Sequence, residues 1–91
     1  MRIKNGFLLR RIMDRWIVVP TGSATARSGG MLSLNESSAV LWEALKEGSN
    51  EKSLTVLLCE KYDTDQETAQ SDVCKFLQKL DELGALLLDE E

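Results

Sequence analysis

Apolar and polar positions along this chain change their rhythm at one place. From Phe7 to Val19 the apolar residues come in short, dense runs, FLLRRIM and then WIVV, of aromatic and β-branched character that suits a pleated surface. From Asn35 onward they recur at helical spacing. The stretch Met31 to Leu45, MLSLNESSAVLWEAL, joins the two regimes. Met31, Leu32 and Leu34 form a brief strand-like run, and Asn35 follows with no linker. Asparagine is a good N-cap, because its side-chain oxygen accepts a bond from an unpaired backbone N–H of the first turn. Glu36 then sets negative charge at the positive end of the helix dipole. Leu41, Trp42 and Leu45 share one helix face.

Before this junction the pattern predicts a hairpin. Phe7–Met13 and Trp16–Val19 are its strands, Asp14-Arg15 its turn, and Pro20 ends the run or places it at an edge, since it lacks an N–H for the ladder. Thr21 to Gly30, TGSATARSGG, is small and polar. Ala24 to Arg27 is read there as a short edge strand, hairpin-linked to Met31–Leu34. Neither GxGxxG nor GxxxxGK[ST] is present, so the glycines indicate turn chemistry rather than a phosphate loop. After the junction three helices are expected. The first spans about Glu36 to Glu47, with Gly48 beyond its end. The second spans about Glu51 to Tyr62, capped by Ser49 or Asn50. The third begins at Thr64-Asp65-Gln66-Glu67, where Thr64 and Glu67 have capping-box spacing. Its stripe, Ala69, Val73, Phe76, Leu77, Leu80 and Leu83, is the clearest in the chain, and Gly84 stops it. Ala85 to Leu88 reads as a short docked extended segment. The fold class is therefore α+β, with two to four N-terminal antiparallel strands followed by a three-helix bundle, in one domain over residues 1–91.

Composition narrows the chemistry. The chain is 91 residues long, 43% apolar and 29% charged, ordinary values for a globular domain with one modest core. No run approaches the ~20 apolar residues that span a bilayer. Arg10 and Arg11 interrupt the N-terminal apolar stretch and no small-residue cleavage site follows, so a secretory signal is not expected. The net charge is −4 and uneven. Residues 1–30 carry Arg2, Lys4, Arg10, Arg11, Arg15 and Arg27 against Asp14 alone, and the helical region carries most of the acids. That acidic half suits nucleic acid poorly, because phosphates require neutralising. Histidine is absent, and the only cysteines, Cys59 and Cys74, lie in separate expected helices. There is accordingly no histidine-based general base, no histidine-paired nucleophile and no usual zinc set. The cysteines read as reduced, half-buried thiols of a cytoplasmic protein. No catalytic residue, metal site or cofactor is expected.

What is left is a binding surface. Two or three antiparallel strands expose unpaired N–H and C=O groups at an edge, and a neighbouring helix adds pockets for the side chains of an incoming strand. The other reading is that the edge is covered by a loop or by the Leu86–Leu88 tail.

Several segments in order carry a family resemblance: Trp16 to Pro20 (WIVVP), Leu34-Asn35-Glu36-Ser37, Val40-Leu41-Trp42 with Leu45, Tyr62-Asp63-Thr64-Asp65, Asp72-Val73 with Phe76-Leu77, and Leu80 with Leu83-Gly84. The chain resembles the PqqD family along nearly its full length. The family's usual Asp-Gly after the first helix is Glu47-Gly48 here, Asn-Glu-Ser replaces Asn-Glu-Thr, and the Thr21–Gly30 loop is longer. The resemblance implies a winged-helix-like domain, a RiPP recognition element. It implies a non-catalytic peptide chaperone that binds the leader segment of a ribosomally made precursor peptide by strand addition. It further implies presentation of that leader to a radical SAM or other modifying enzyme, in pyrroloquinoline quinone (PQQ) biosynthesis or another pathway. Carried onto this sequence, the docking strand is Met31, Leu32, Ser33 and Leu34, and Asp72, Lys75, Phe76 and Lys79 of the third helix are groove candidates. Phe76 also lies on the core stripe, so both roles stand open for it. The alternatives are a winged-helix DNA-binding or regulatory module, using Arg10, Arg11, Arg15 and Arg27, and a structural docking subunit. A monomer and a homodimer are both compatible with the sequence.

Overall fold

The structure, a computed structural model, describes residues 1–21 and 32–87. Its elements run β1 (Arg2–Ile3), β2 (Phe7–Ile12), β3 (Arg15–Pro20), β4 (Leu32–Leu34), α1 (Glu36–Lys46), α2 (Glu51–Tyr62), α3 (Gln66–Leu83) and β5 (Leu86–Leu87). The α+β class, strands first and three helices after, is as expected. The strands form two antiparallel sheets: β2-β3-β4, and a small pair of β1 with β5. The sequence reading misses β1, because two residues carry no periodicity. Its place is set by tertiary bonds: Lys4 N–H donates to the Ala85 carbonyl at 2.7 Å, and Ser49 N–H to the Met1 carbonyl at 2.9 Å. The expected Ala24–Arg27 strand lies outside the described residues, as does Met31.

The hairpin turn is Met13-Asp14, one residue earlier than expected, with Ile12 opposite Arg15. The observed register sets Leu9 against Val18 and Phe7 against Pro20 on the core face, and Arg11 against Trp16 at its end. A turn at Asp14-Arg15 would slide Arg11 opposite Val18, which is fully buried. Core formation therefore selects the register, and the guanidinium of Arg11 instead lies 5.5 Å from the Trp16 ring centroid, a cation–π arrangement. The cost is a positive φ, 61°, at Met13.

Each helix begins on a capping side chain. Asn35 accepts from Ser38 N–H and Asn50 from Ser53 N–H, both at 2.8 Å, and Asp65 accepts from Thr68 N–H at 2.7 Å. The cap of α2 is thus Asn50, not Ser49. The cap of α3 is Asp65, one position beyond the expected Thr64. Asp63 takes the left-handed conformation that ends α2 (φ 52°), and Thr64 becomes the spacer between the helices. The start of α3 then puts Thr68 rather than Glu67 third after the cap, and the capping box is not formed.

One core joins all layers. Val18 and Leu34 come from the sheet, Leu41, Trp42 and Leu45 from α1, and Leu54 and Leu58 from α2. Ala69, Val73, Phe76 and Leu80 come from α3, with Ala85 and Leu86 beyond it. Trp42 is the largest of the fully buried side chains. Among the described residues, no helix is long and apolar enough to cross a membrane. Cys59 is half-buried as expected, but Cys74 is exposed, a correction to the sequence reading. Its position one residue past Val73 turns it off the apolar stripe, and its thiol donates to Glu51 Oε1 at 3.1 Å. That hydrogen bond, more than the desolvation beside it, raises the thiol pKa and makes it a poor nucleophile.

Two tests follow from this local chemistry. Met13→Gly removes the left-handed penalty of a side chain at the turn and is expected to raise unfolding free energy by about 0.5–1 kcal/mol in urea titration. At Asp65, hydrogen bonds from the Thr68 hydroxyl and then its N–H hold the carboxyl below its ordinary value. A folded-state pKa below the unfolded one means that the cap stabilises fully above the unfolded value and fades as pH falls through the folded one. The urea midpoint of Asp65→Ala should therefore fall below that of wild type at neutral pH, and by more than for Thr64→Ala. The gap should begin to narrow below about pH 4 and close as pH falls through the lowered folded value.

Candidate functional site

The strand order leaves β4 at an edge. One side of it pairs with β3, through Leu34 with Trp16, Ser33 with Ile17 and Leu32 with Val18. Among the described residues nothing pairs with its other side. The Leu86–Leu87 segment, a candidate cover for this edge, is engaged elsewhere, as the partner of β1. The sheet alternation turns Leu32 and Leu34 toward the core and Ser33 to solvent.

Beside this edge runs a groove of about 400 Å³. One wall is Ser33, Leu34 and the first turns of α1, with Asn35, Ser37, Ser38 and Leu41. The other wall is α3, through Asp72, Lys75, Phe76 and Lys79. These four α3 residues stand at spacings of three, one and three, which gather them on one helix face. Of the residues singled out in the sequence, the fold brings Ser33, Leu34, Asp72, Lys75, Phe76 and Lys79 to one groove. Leu32 lies on the same strand but packs on the core and does not line it. Met31 is outside the described residues.

Phe76 has both of its open roles. It is 3% exposed and belongs to the core, and it also forms part of the groove wall. Asp72, Lys75 and Lys79 are exposed, and among the described residues no ion pair or hydrogen bond engages their side chains. The sequence reading misses the α1 contribution. It gives Asn35 only the role of a cap, although a strand followed by a helix without a linker must put the helix's first turn beside the strand's end. That signal is present in Leu34-Asn35-Glu36.

A second cavity, of about 340 Å³, continues the groove past the end of β4. It shares Asn35, Ser37 and Asp72 with the groove and adds Glu36, Leu58, Tyr62 and Thr64. The Tyr62 hydroxyl is buried there without a hydrogen-bond partner of good geometry. Burial first, and then the negative charge of Glu36, push the phenol pKa upward, so it stays a neutral donor. Among the described residues no group of three or more acidic or cysteine side chains is arranged to hold a metal ion.

The family described as Coenzyme PQQ synthesis protein D (PqqD) matches residues 15–86. The chain belongs to the PqqD family. The match covers the hairpin's second strand, β4, all three helices and the start of β5, hence both walls of the groove. Two solved structures share the fold. One, described as "TbiB1 in Complex with the TbiA(beta) Leader Peptide", superposes with a TM-score of 0.72 at 22% identity, covering 99% of this chain and 100% of that one. The other, described as "Lasso peptide synthetase B1 complexed with the leader peptide", gives 0.74 at 18% identity, covering 96% of each chain. No curated protein matches significantly.

The two kinds of groove residue separate in a stability measurement. Phe76→Ala should lower unfolding free energy by about 3–5 kcal/mol, as for other buried aromatics. Lys75→Ala and Lys79→Ala should leave the urea midpoint essentially where it is.

Proposed function

We propose that this chain is a non-catalytic leader-peptide-binding module of ribosomal peptide maturation. The leader of a precursor peptide adds as a strand to the free edge of β4, lies in the groove against α3, and is presented to a modifying enzyme. The observation that carries this reading is the edge of β4, unpaired among the described residues, facing a groove whose far wall is Asp72, Lys75, Phe76 and Lys79. Membership of the PqqD family supports it. So does likeness to two structures described as complexes with leader peptides. The contact residues are Met31, Leu32, Ser33, Leu34, Asp72, Lys75, Phe76 and Lys79, and the partner enzyme belongs to PQQ biosynthesis or to another peptide-modifying system.

Magnitudes say how such binding must be divided. An edge of three residues offers about two or three ladder bonds, each worth about 1 kcal/mol net. Association costs about 4 kcal/mol or more in lost freedom. Backbone bonds alone cannot hold the peptide, so the groove side chains must supply the remainder, and with it the selectivity. A DNA-binding role fits this surface less well, because exposed Glu67, Asp72, Asp81 and Glu82 on α3 would repel phosphates.

The test is calorimetry with the synthetic leader of a precursor peptide that binds the wild-type chain. Along β4 successive N–H groups point to opposite sides, so Leu32→Pro and Ser33→Pro remove one outward and one inward donor between them. One of the two should weaken leader binding at least about tenfold while the circular dichroism spectrum is kept. Unchanged affinity in both folded variants would mean that the peptide does not add to β4.

A further inference from the structure

The groove is electrically polar along its length. Lys75 and Lys79 line only the part beside β4. Asp72 lies where the groove meets the second cavity, and Glu36 lies in that cavity beyond the strand's end. Moving along β4 toward α1, the surface passes from two free ammonium groups to the carboxylates of Asp72 and Glu36, the latter interacting with the Tyr62 hydroxyl. The α1 N-terminus at this end contributes an opposing dipole equivalent to about half a positive charge. Two full carboxylate charges outweigh it, and one of its N–H groups is already occupied by Asn35. The Tyr62 hydroxyl lies buried beside Glu36 without a well-formed hydrogen bond, and its oxygen is available to accept from an incoming ammonium or guanidinium group.

We infer that the groove accepts a peptide strand of fixed charge polarity, with an acidic side chain against Lys75 and Lys79 and a lysine or arginine side chain reaching toward Asp72, Glu36 and the Tyr62 pocket. This rests on the strand-addition reading above and deepens it by specifying the peptide and its direction. Strand addition alone tolerates many sequences, since it uses backbone groups. A dipolar groove makes one direction of insertion attractive at both ends and the reverse repulsive at both. It also sets a spacing. Asp72 and Lys79 are separated by about 10 Å along the helix, at 1.5 Å per residue. A strand advances about 3.3 Å per residue, and only alternate side chains face the helix. The basic and acidic residues of the ligand therefore stand two or four positions apart on the same face. At a spacing of four, the apolar parts of the wall, Leu34, Leu41 and Phe76, receive the same-face side chain between them.

A displayed library of random 12-residue peptides tests this and does not require the natural ligand. It is selected separately on the wild-type chain, on the double variant Lys75→Glu with Lys79→Glu, and on Asp72→Lys. All three positions are exposed, so the variants keep the fold. Wild type should enrich peptides with a base and an acid two or four residues apart in one constant order. The double variant should lose the acid and enrich a base in its place. Asp72→Lys should lose the base alone. A synthetic peptide from the wild-type pool should bind the double variant about tenfold more weakly at low salt, and the loss should shrink at 0.5 M salt. Pools with no charge order, or identical pools from wild type and variants, would overturn the polarity. Insensitivity of the same synthetic peptide to both Leu32→Pro and Ser33→Pro would instead overturn strand addition. No enrichment on wild type would overturn peptide binding itself, and the polarity with it.

Discussion

The junction at Asn35 is the constraint on which the rest of the molecule depends. Leu34 is paired with Trp16 in the sheet, and the next residue caps α1 through its side chain. No residue intervenes to absorb a change of angle. The direction of β4 therefore fixes the start of α1, and α1 carries Leu41, Trp42 and Leu45 into the middle of the core. Packing of α3 against that core then sets the distance between its polar face and β4. The groove is what remains between an edge strand and a helix that are both held by the same buried side chains. Its width is a consequence of core packing, which is why a site on so small a protein can be preformed.

Wherever local chemistry is decisive, the sequence is legible. The stripe from Ala69 to Leu83 and the glycine at 84 locate α3 to within a residue or two, because burial periodicity and a left-handed stop act on neighbouring positions. The residues of α3 that meet the groove follow only from the family resemblance, because the apolar stripe marks the buried face and not which exposed residues stand beside β4. What fails depends on competition between near-equal local options. Thr64 and Asp65 both serve as caps, and the conformation of Asp63 decides between them. Asp14-Arg15 and Met13-Asp14 both make turns, and burial of Val18 opposite Leu9 decides between those. The strand at Arg2–Ile3 exists only because Leu86–Leu87 comes back to meet it, so no window of sequence around it holds the information.

That returning segment also matters for the site. An apolar ALL stretch after α3 had two places to go, and both were sheet edges. By pairing with β1, it closes the far end of the domain, where the Met1 carbonyl is also bonded to Ser49. The edge of β4 is left without an internal partner among the described residues. A three-residue edge is a modest aggregation hazard, since it offers few ladder bonds and is flanked by the charged groups of α3. The same shortness means that an incoming strand gains lasting affinity only if its side chains also fit.

Stability and the proposed recognition are consequently divided by helix face rather than by region. Phe76 is buried among the core residues and forms part of the groove wall, so its replacement alters the fold before it alters any ligand. Asp72, Lys75 and Lys79 stand on the same wall but in water, where their replacement costs the fold little. Such an arrangement lets charge on the wall be changed independently of its position. Under the proposed strand addition, one groove geometry can take different peptide strands: the apolar wall holds the groove's shape constant, and the exposed charges vary which strand it prefers.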